Sequence, residues 1–352
     1  MSQTSFFRDA EPQGRPLSLI GEQKDIRYFA ATPRSVLNAP AATGMGFWSL
    51  NPYVGCAFGC AYCYARYAHR YTAERLNAAA PPSEASFVEG LPSWLAFERR
   101  IMVKHDAPAL LRRALCRAGT LDALQRERLV IGTATDPYQP AERRYRVTRG
   151  VLEVLAEHAG IGVTIITKSP LVTRDIDLLV RINERSRLSV HVSLITVDRE
   201  LARRLEPRAP TPEARVRAIA RLRDHGIEVG VNIMPVLPGI TDAPEQVEAV
   251  IRAIAGAKAS YVGACALRLR ATARDRYLPF IATEFPELAR RYQTAYAKGH
   301  QVGERYRDGL RQRFQAVCES YGVPYGYPER IDDELGDAIM ESPQLDLAIR
   351  TA

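Results

Sequence analysis

The chain has 352 residues, 46% of them hydrophobic and 25% charged, with a formal net charge of +8 at pH 7. That composition is globular and excludes low-complexity disorder and collagen, and the length suits about two average domains or one large α/β barrel. No apolar run approaches the ~18 residues of a membrane-spanning helix. The opening MSQTSFFRDAEPQGRPLSLIG lacks the basic-then-apolar pattern of an export signal, so a cytoplasmic protein is expected. The excess of 48 basic over 40 acidic residues suits a polyanionic partner, and equally a solvated Arg-rich surface.

Residues 1–45 read as an N-terminal arm with little periodicity and a short element near Asp25–Tyr28. The apolar, aromatic run FWSLNPYVG (47–55) reads as a strand that leads directly into a cysteine-rich loop. Residues 71–105 read as a helix leaving that loop, then an irregular insertion ending at IMVK (101–104). An alternation follows. LVIGT (129–133), VTIIT (163–167), SVHVSL (189–194), IEVGVNI (227–233) and YVGACAL (261–267) are β-branched or apolar on both faces, as buried parallel strands are. Helical text lies around and between them, over 107–118, 146–159, 173–186, 212–226 and 244–256. Gly226 and Gly256 read as helix stops. A strand about every 30 residues is the spacing of βαβ units. With the strand before the cysteine loop there are six units, short of the eight that close a TIM barrel. The fold expected is therefore α/β, a partial (β/α)6 TIM-type barrel over 46–270, with a doubly wound sheet as the alternative. FPELARRYQTAYA (285–297) and GERYRDGLRQRFQAVCESYG (303–322) have helical spacing and suggest a C-terminal helical extension over 271–352.

Of the six cysteines, Cys56, Cys60 and Cys63 fall within eight residues, whereas Cys116, Cys265 and Cys318 are scattered and read as packing or reserve thiols. This is not the spread of a secreted disulfide framework; a soft-metal site in a reducing compartment explains it better. Gly55 and Gly59 permit tight turns and close approach of amides to sulfur. A structural zinc needs four ligands, and His69 could be the fourth. A [4Fe–4S] cluster held by three cysteines would keep one iron open for a substrate or cofactor.

The C-x3-C-x2-C spacing, with Tyr62 before and Tyr64 after the third cysteine, resembles the radical S-adenosylmethionine (SAM) superfamily. CAYCYARY (60–67), GTATDPYQPAE (132–142), ITKSPLVTRDIDLL (166–179), HVSLITVD (191–198) and NIMPVLPGITD (232–242) are similar to its spore photoproduct lyase-like branch. The likeness covers about residues 45 to 270 and does not fix the reaction. It implies a [4Fe–4S] cluster on Cys56, Cys60 and Cys63, with SAM bound at the open iron. One electron would cleave SAM to methionine and a 5′-deoxyadenosyl radical, which abstracts hydrogen from a substrate; a flavodoxin- or ferredoxin-type protein would donate the electron. The resemblance further implies SAM contacts at Thr135 and Asp136, at Lys168 for the methionine carboxylate, at Ser193 near the ribose and at Asn232 near the adenine.

Tyr62 and Tyr64 match the lyase pattern and are, with Cys265, the candidate catalytic residues, but the position of the lyases' hydrogen-donating cysteine holds Thr133, whose O–H bond is too strong for that role. Cys265 could take its place. Two other readings stay open: lyase-type DNA repair, and a non-catalytic metal-containing nucleic-acid-binding module. Arg268, Arg270, Arg274 and Arg276, with Tyr277, suit a nucleic-acid backbone or a plain charged face. His191 reads as a packing histidine, and Glu206-Pro207-Arg208 as an ion pair with no assigned role.

Overall fold

The structure, a computed structural model, describes residues 17–66 and 90–327. The expected helix after the cysteine loop, His69, and the last part of the C-terminal extension lie outside the described residues.

Six parallel strands make the main sheet: β4 (Trp48–Leu50), β7 (Leu129–Ile131), β8 (Val163–Thr167), β9 (Leu188–Ser193), β10 (Glu228–Val236) and β11 (Tyr261–Ala266). They lie side by side in chain order, each paired in parallel with the next. Helices of the connecting segments bury apolar faces against the sheet, as Leu178, Leu179 and Ile182 do from Ile176–Asn183. The sheet stays open, which agrees with a partial barrel. A seventh strand, β3 (Leu37–Asn38), comes from the N-terminal arm and pairs antiparallel with β4 at one edge.

Four sequence expectations change. The run 47–55 is not one strand: it breaks at Asn51-Pro52, and β5 (Tyr53–Val54) joins a second sheet. That sheet has the order β1 (Leu19–Gln23), β2 (Ile26–Ala30), β6 (Arg100–Val103), β5. The segment IMVK is therefore not the end of an irregular insertion but part of a fully buried strand between β2 and β5, in a context no local pattern announces. The helix Pro244–Gly256 runs through Gly256, and Lys258 takes the left-handed conformation (φ 59°) instead; Gly226 (φ 73°) does end its helix. Cys116, expected to pack, is exposed at the end of the helix Ala107–Leu115, whereas Cys318 is buried.

At the other edge, the chain after the helix Glu304–Ser320 runs along β11. The Val262 amide donates to the Pro324 carbonyl at 2.9 Å, and the Gly326 amide donates to the Val262 carbonyl at 2.8 Å. This covers an edge whose unpaired groups would otherwise invite association. It also carries the Tyr327 ring inward, stacked on His191 with ring centroids 5.4 Å apart.

His191 is fully buried, as expected of a packing residue, with Nε2 2.8 Å from the Tyr261 hydroxyl. Burial, helped by the charge of Arg128, pulls its pKa down to about 3. The folded protein therefore keeps His191 neutral at pH values where the unfolded chain, with a pKa of about 6.5, takes up a proton. Stability should fall with acidification, by about 1.4 kcal/mol per pH unit below about 6.5. Urea unfolding of the wild type and His191→Gln at several pH values checks this: the variant should lose that component of the slope, and parallel curves would refute it.

Candidate active site

Parallel strands bring all their C-terminal ends to one side of a sheet, the side where barrel proteins build sites. A cavity of about 160 Å³ opens there. The cysteine loop after β4 and β5 contributes Cys56, Cys60, Tyr62, Cys63 and Tyr64 to its lining. Thr133, Thr135 and Asp136 come from the end of β7, Lys168 from β8, Ser193 from β9, Asn232 from β10 and Cys265 from β11. Residues spread over more than 200 positions of sequence thus surround one space. Its remaining wall is largely apolar, including Phe58, Phe97, Ile166 and Leu267.

Buried polar groups hold the cysteine loop. Gln139, wholly buried, grips the backbone on both sides of Cys56: its Nε2 donates to the Gly55 carbonyl, and its Oε1 accepts from the Ala57 amide, each at 3.0 Å. Thr135 donates its hydroxyl to the same Gly55 carbonyl at 2.6 Å. Gly55 (φ 84°) has no room for a side chain, because a Cβ there would lie 2.8 Å from the Phe97 carbonyl oxygen. Arg66 donates to the Cys60 carbonyl at 2.6 Å and pairs with Glu98 at 2.7 Å. Arg208 donates to the Ala57 carbonyl at 2.6 Å and to the other oxygen of Glu98 at 2.7 Å.

Glu206 has a larger part than the sequence reading gave it. The helix Arg199–Leu205, capped by Asp198, ends by placing Glu206 in the interior. Its carboxylate accepts hydrogen bonds from Tyr62 and Arg215, and the Lys168 ammonium is 3.8 Å away. Burial pushes this carboxyl up, but Arg215 and Lys168 outweigh it and hold the pKa below the ordinary value. For Lys168, burial works against the charge, yet Cys60 and Glu206 keep its pKa above the ordinary value. The ammonium remains at the cavity, available to an anion.

Asp136 is used by the fold. It accepts from the Tyr138 amide at 2.9 Å, the Thr167 hydroxyl at 2.7 Å and the Lys168 amide at 2.7 Å, which ties the end of β7 to the end of β8. Burial nevertheless raises its pKa. Asn51 joins β4 to the same loop: its Nδ2 donates to the Thr133 hydroxyl at 3.0 Å, and its Oδ1 accepts from the Ala134 amide at 2.9 Å. The Tyr64 hydroxyl donates to the Thr133 carbonyl. Ser193 and Asn232 stand opposite each other in the β9–β10 register. Asn232 Oδ1 accepts from Tyr327, a residue the sequence reading missed because the chain that carries it returns only after the C-terminal helices.

The four arginines of 268–276 do not form one exposed face. Arg268 lines the cavity. Arg274 donates to the Tyr296 carbonyl at 2.7 Å, and the Arg276 guanidinium lies over the Trp94 ring, 4.7 Å from its centroid.

Burial raises the pKa of all three loop thiols, that of Cys56 to about 12. Thiols so placed become thiolates when a metal supplies the compensating charge. Among the described residues, no group of three or more His, Cys, Asp or Glu is placed to hold a single metal ion. In a [4Fe–4S] cluster each thiolate takes its own iron, so the sulfurs need not converge on a point. The all-thiol donor set fits that group, and Cys56, Cys60 and Cys63 would hold it.

Comparisons with known proteins give the family. The model of the family described as "Radical SAM superfamily" matches residues 50–254, and the chain belongs to this family. An uncharacterized protein of Mycobacterium tuberculosis is 34% identical over 298 residues, covering 84% of this chain and 81% of its own. An uncharacterized protein of Methanocaldococcus jannaschii is 25% identical over 217 residues, covering 62% and 69%. Among solved structures, a spore photoproduct lyase mutant has a TM-score of 0.58 at 15% identity, covering 89% of this chain and 88% of its own. Another mutant of that lyase, with bound AdoMet and dinucleoside spore photoproduct, scores 0.56 at 15% identity, covering 90% and 88%. The protein is a radical SAM enzyme, and the family's cofactors are a [4Fe–4S] cluster and SAM. Enzymes of this kind draw on an electron donor. Among the described residues, no helix is long and apolar enough to cross a membrane.

Replacing Glu206 by Gln keeps its shape and removes its charge, which leaves Arg215 and Lys168 facing each other in the interior. Breaking a buried pair in this way typically costs roughly 3–5 kcal/mol. Urea unfolding at pH 7 should show a loss of that order; a change below about 1 kcal/mol, the size typical of exposed pairs, would contradict the role given to Glu206.

Proposed function

We propose that this radical SAM enzyme binds its cluster through Cys56, Cys60 and Cys63 and holds SAM in the cavity beside them. The observation that carries the reading is the convergence of the buried Cys56 and Cys60 thiols, the half-buried Cys63 thiol and the Lys168 ammonium on one cavity at the strand ends. When bound, the cluster supplies the electron that cleaves SAM to methionine and a 5′-deoxyadenosyl radical. Lys168 anchors the methionine carboxylate, with Glu206 keeping the ammonium charged and in place. Ser193 and Asn232, paired in register, lie along the ribose and adenine. Thr135 and Asp136 shape the same site through the bonds they make to the loop and to β8. The apolar wall shields the reacting groups from bulk solvent. The setting we propose is reducing and cytoplasmic, with a flavodoxin- or ferredoxin-type donor; none of the six cysteines is in a disulfide.

The radical abstracts hydrogen from a substrate at the cavity. Thymine-dimer repair of the spore photoproduct lyase type is not the reading we favour, because Thr133 stands where a hydrogen-donating thiol is needed. One observation keeps repair as a second reading: Cys265 lines the cavity. Its S–H could give a hydrogen atom to a product radical and leave a thiyl radical. The Tyr62 and Tyr64 hydroxyls, engaged with Glu206 and the Thr133 carbonyl, position the loop on either side of Cys63.

Anaerobic reconstitution with iron and sulfide, followed by an assay for 5′-deoxyadenosine, tests the main reading. Cys60→Ala should lose both the brown chromophore and SAM cleavage; retained cleavage would sink the cluster assignment. Lys168→Ala should keep near-normal iron content but bind SAM about tenfold more weakly or worse, since a charge-assisted contact is worth roughly 1.5–3 kcal/mol. Unchanged affinity in a calorimetric titration would remove Lys168 from the SAM site. Incubation with SAM, reductant and DNA carrying the spore photoproduct should give no efficient return to thymines. If it does, loss of that activity in Cys265→Ala would identify the donor.

A further inference from the structure

A second, larger cavity of about 620 Å³ lies between the end of β11 and the helix Glu304–Ser320. It adjoins the cysteine-lined cavity: Met234, Cys265, Leu267, Arg268 and Tyr327 line both. Its volume is that of a small-molecule site. One part of the lining is apolar, with Val302, Leu310, Val323 and Tyr325. Another part carries Arg268, Arg307 and Arg311 against one carboxylate among the described residues of the lining, Glu319, which accepts a hydrogen bond from Gln315 at 3.2 Å.

Two of these arginines have capacity to spare. The Arg307 Nε is buried and has no hydrogen-bond partner among the described residues. With that nitrogen shut off from solvent, a ligand would meet the terminal nitrogens of this permanently charged group. Arg311 meets Asp308 at 3.3 Å in an exposed pair, which neutralises little. Guanidinium groups offer planar forks of donors that match phosphate oxygens. A cluster of them beside an apolar wall suits a ligand with an anionic head and an apolar or aromatic body.

We propose that this cavity binds the substrate as a phosphate ester. The phosphate oxygens accept from Arg307 and Arg311 with Arg268 nearby, the organic part lies on the apolar wall, and its far end passes Cys265 toward the radical site. The assignment of this ligand as substrate rests on the function proposed above, but its binding can be measured separately.

The test uses the reconstituted enzyme with SAM and three probes: inorganic phosphate, phenyl phosphate as a monoester with an aromatic body, and a ten-nucleotide oligothymidylate as a phosphodiester strand. Calorimetry should show phenyl phosphate or the oligonucleotide binding more tightly than inorganic phosphate. Preference for phenyl phosphate assigns the ester to a small molecule; preference for the oligonucleotide assigns it to a strand. Arg307→Gln should weaken the favoured probe about tenfold or more, the loss expected for a hydrogen bond to a charged group. Arg311→Gln, at an exposed position, should weaken it in the same direction. Equal affinity of the wild type and both variants, or no binding of any probe, overturns the proposal. Formation of 5′-deoxyadenosine by the wild type without substrate is measured alongside. Its absence would overturn the radical reading and leave the phosphate result standing, whereas cleavage without ester binding would overturn the cavity assignment alone.

Discussion

A carboxylate almost out of reach of water, that of Glu206, is shared by Arg215, Tyr62 and Lys168. The site depends on it. A charge in the interior is costly unless it is paired and hydrogen-bonded, so these side chains constrain one another tightly. Tyr62 lies within the cysteine loop, Lys168 at the end of β8 and Arg215 in the helix Pro212–Asp224. Satisfying one carboxylate therefore fixes the loop relative to the sheet. Glu98 holds the loop as well, through Arg66 and Arg208, each of which also grips a loop carbonyl. Such pairs add little net stability, but they allow few alternative arrangements. A loop that presents three thiols to one group, as proposed above, needs that restriction more than it needs extra stability.

The same economy divides the polar residues of the cavity into two sets. Asp136, Thr135, Gln139 and Asn51 spend their hydrogen bonds on backbone and neighbouring side chains, and so join the strand ends to the loop. Lys168, Ser193 and Asn232 come from three successive strands and face the space that remains. The first set ties the walls together, whereas the second lines the cavity, with Lys168 also near Glu206 and Asn232 bonded to Tyr327. Preorganised positioning of this kind is what a protein contributes when a cofactor carries the difficult chemistry.

The C-terminal segment has a part in both. Its backbone covers the exposed edge of β11, and its Tyr327 reaches Asn232 and stacks on His191. A Cβ on Gly263 would lie 2.5 Å from the Tyr327 hydroxyl, so the absence of a side chain at that point of β11 makes room for the ring. Where β11, Tyr327 and the helix Glu304–Ser320 meet, the two cavities adjoin. The tail thus forms part of the wall between the cysteine-lined space and the arginine-lined one.

The sequence by itself determined what local chemistry can determine. Apolar runs at βαβ spacing specified the six parallel strands and the open barrel, because a strand buried on both faces must be apolar throughout. Three cysteines in eight residues specified the thiol loop, because soft-metal ligands on one short loop need that spacing. The roles of Glu206, Glu98, Gln139 and Tyr327 were not legible, because the bonds that tie Glu206 to Tyr62, Glu98 to Arg66, Gln139 to Gly55 and Tyr327 to Asn232 span from 32 to 144 residues. The break of 47–55 into two strands and the burial of IMVK escaped for the same reason: strand pairing is set by distant chain, not by the strand's own residues. Tertiary structure alone decided which polar groups the fold consumes, which it leaves facing the cavity, and that a second, basic cavity stands beside the first.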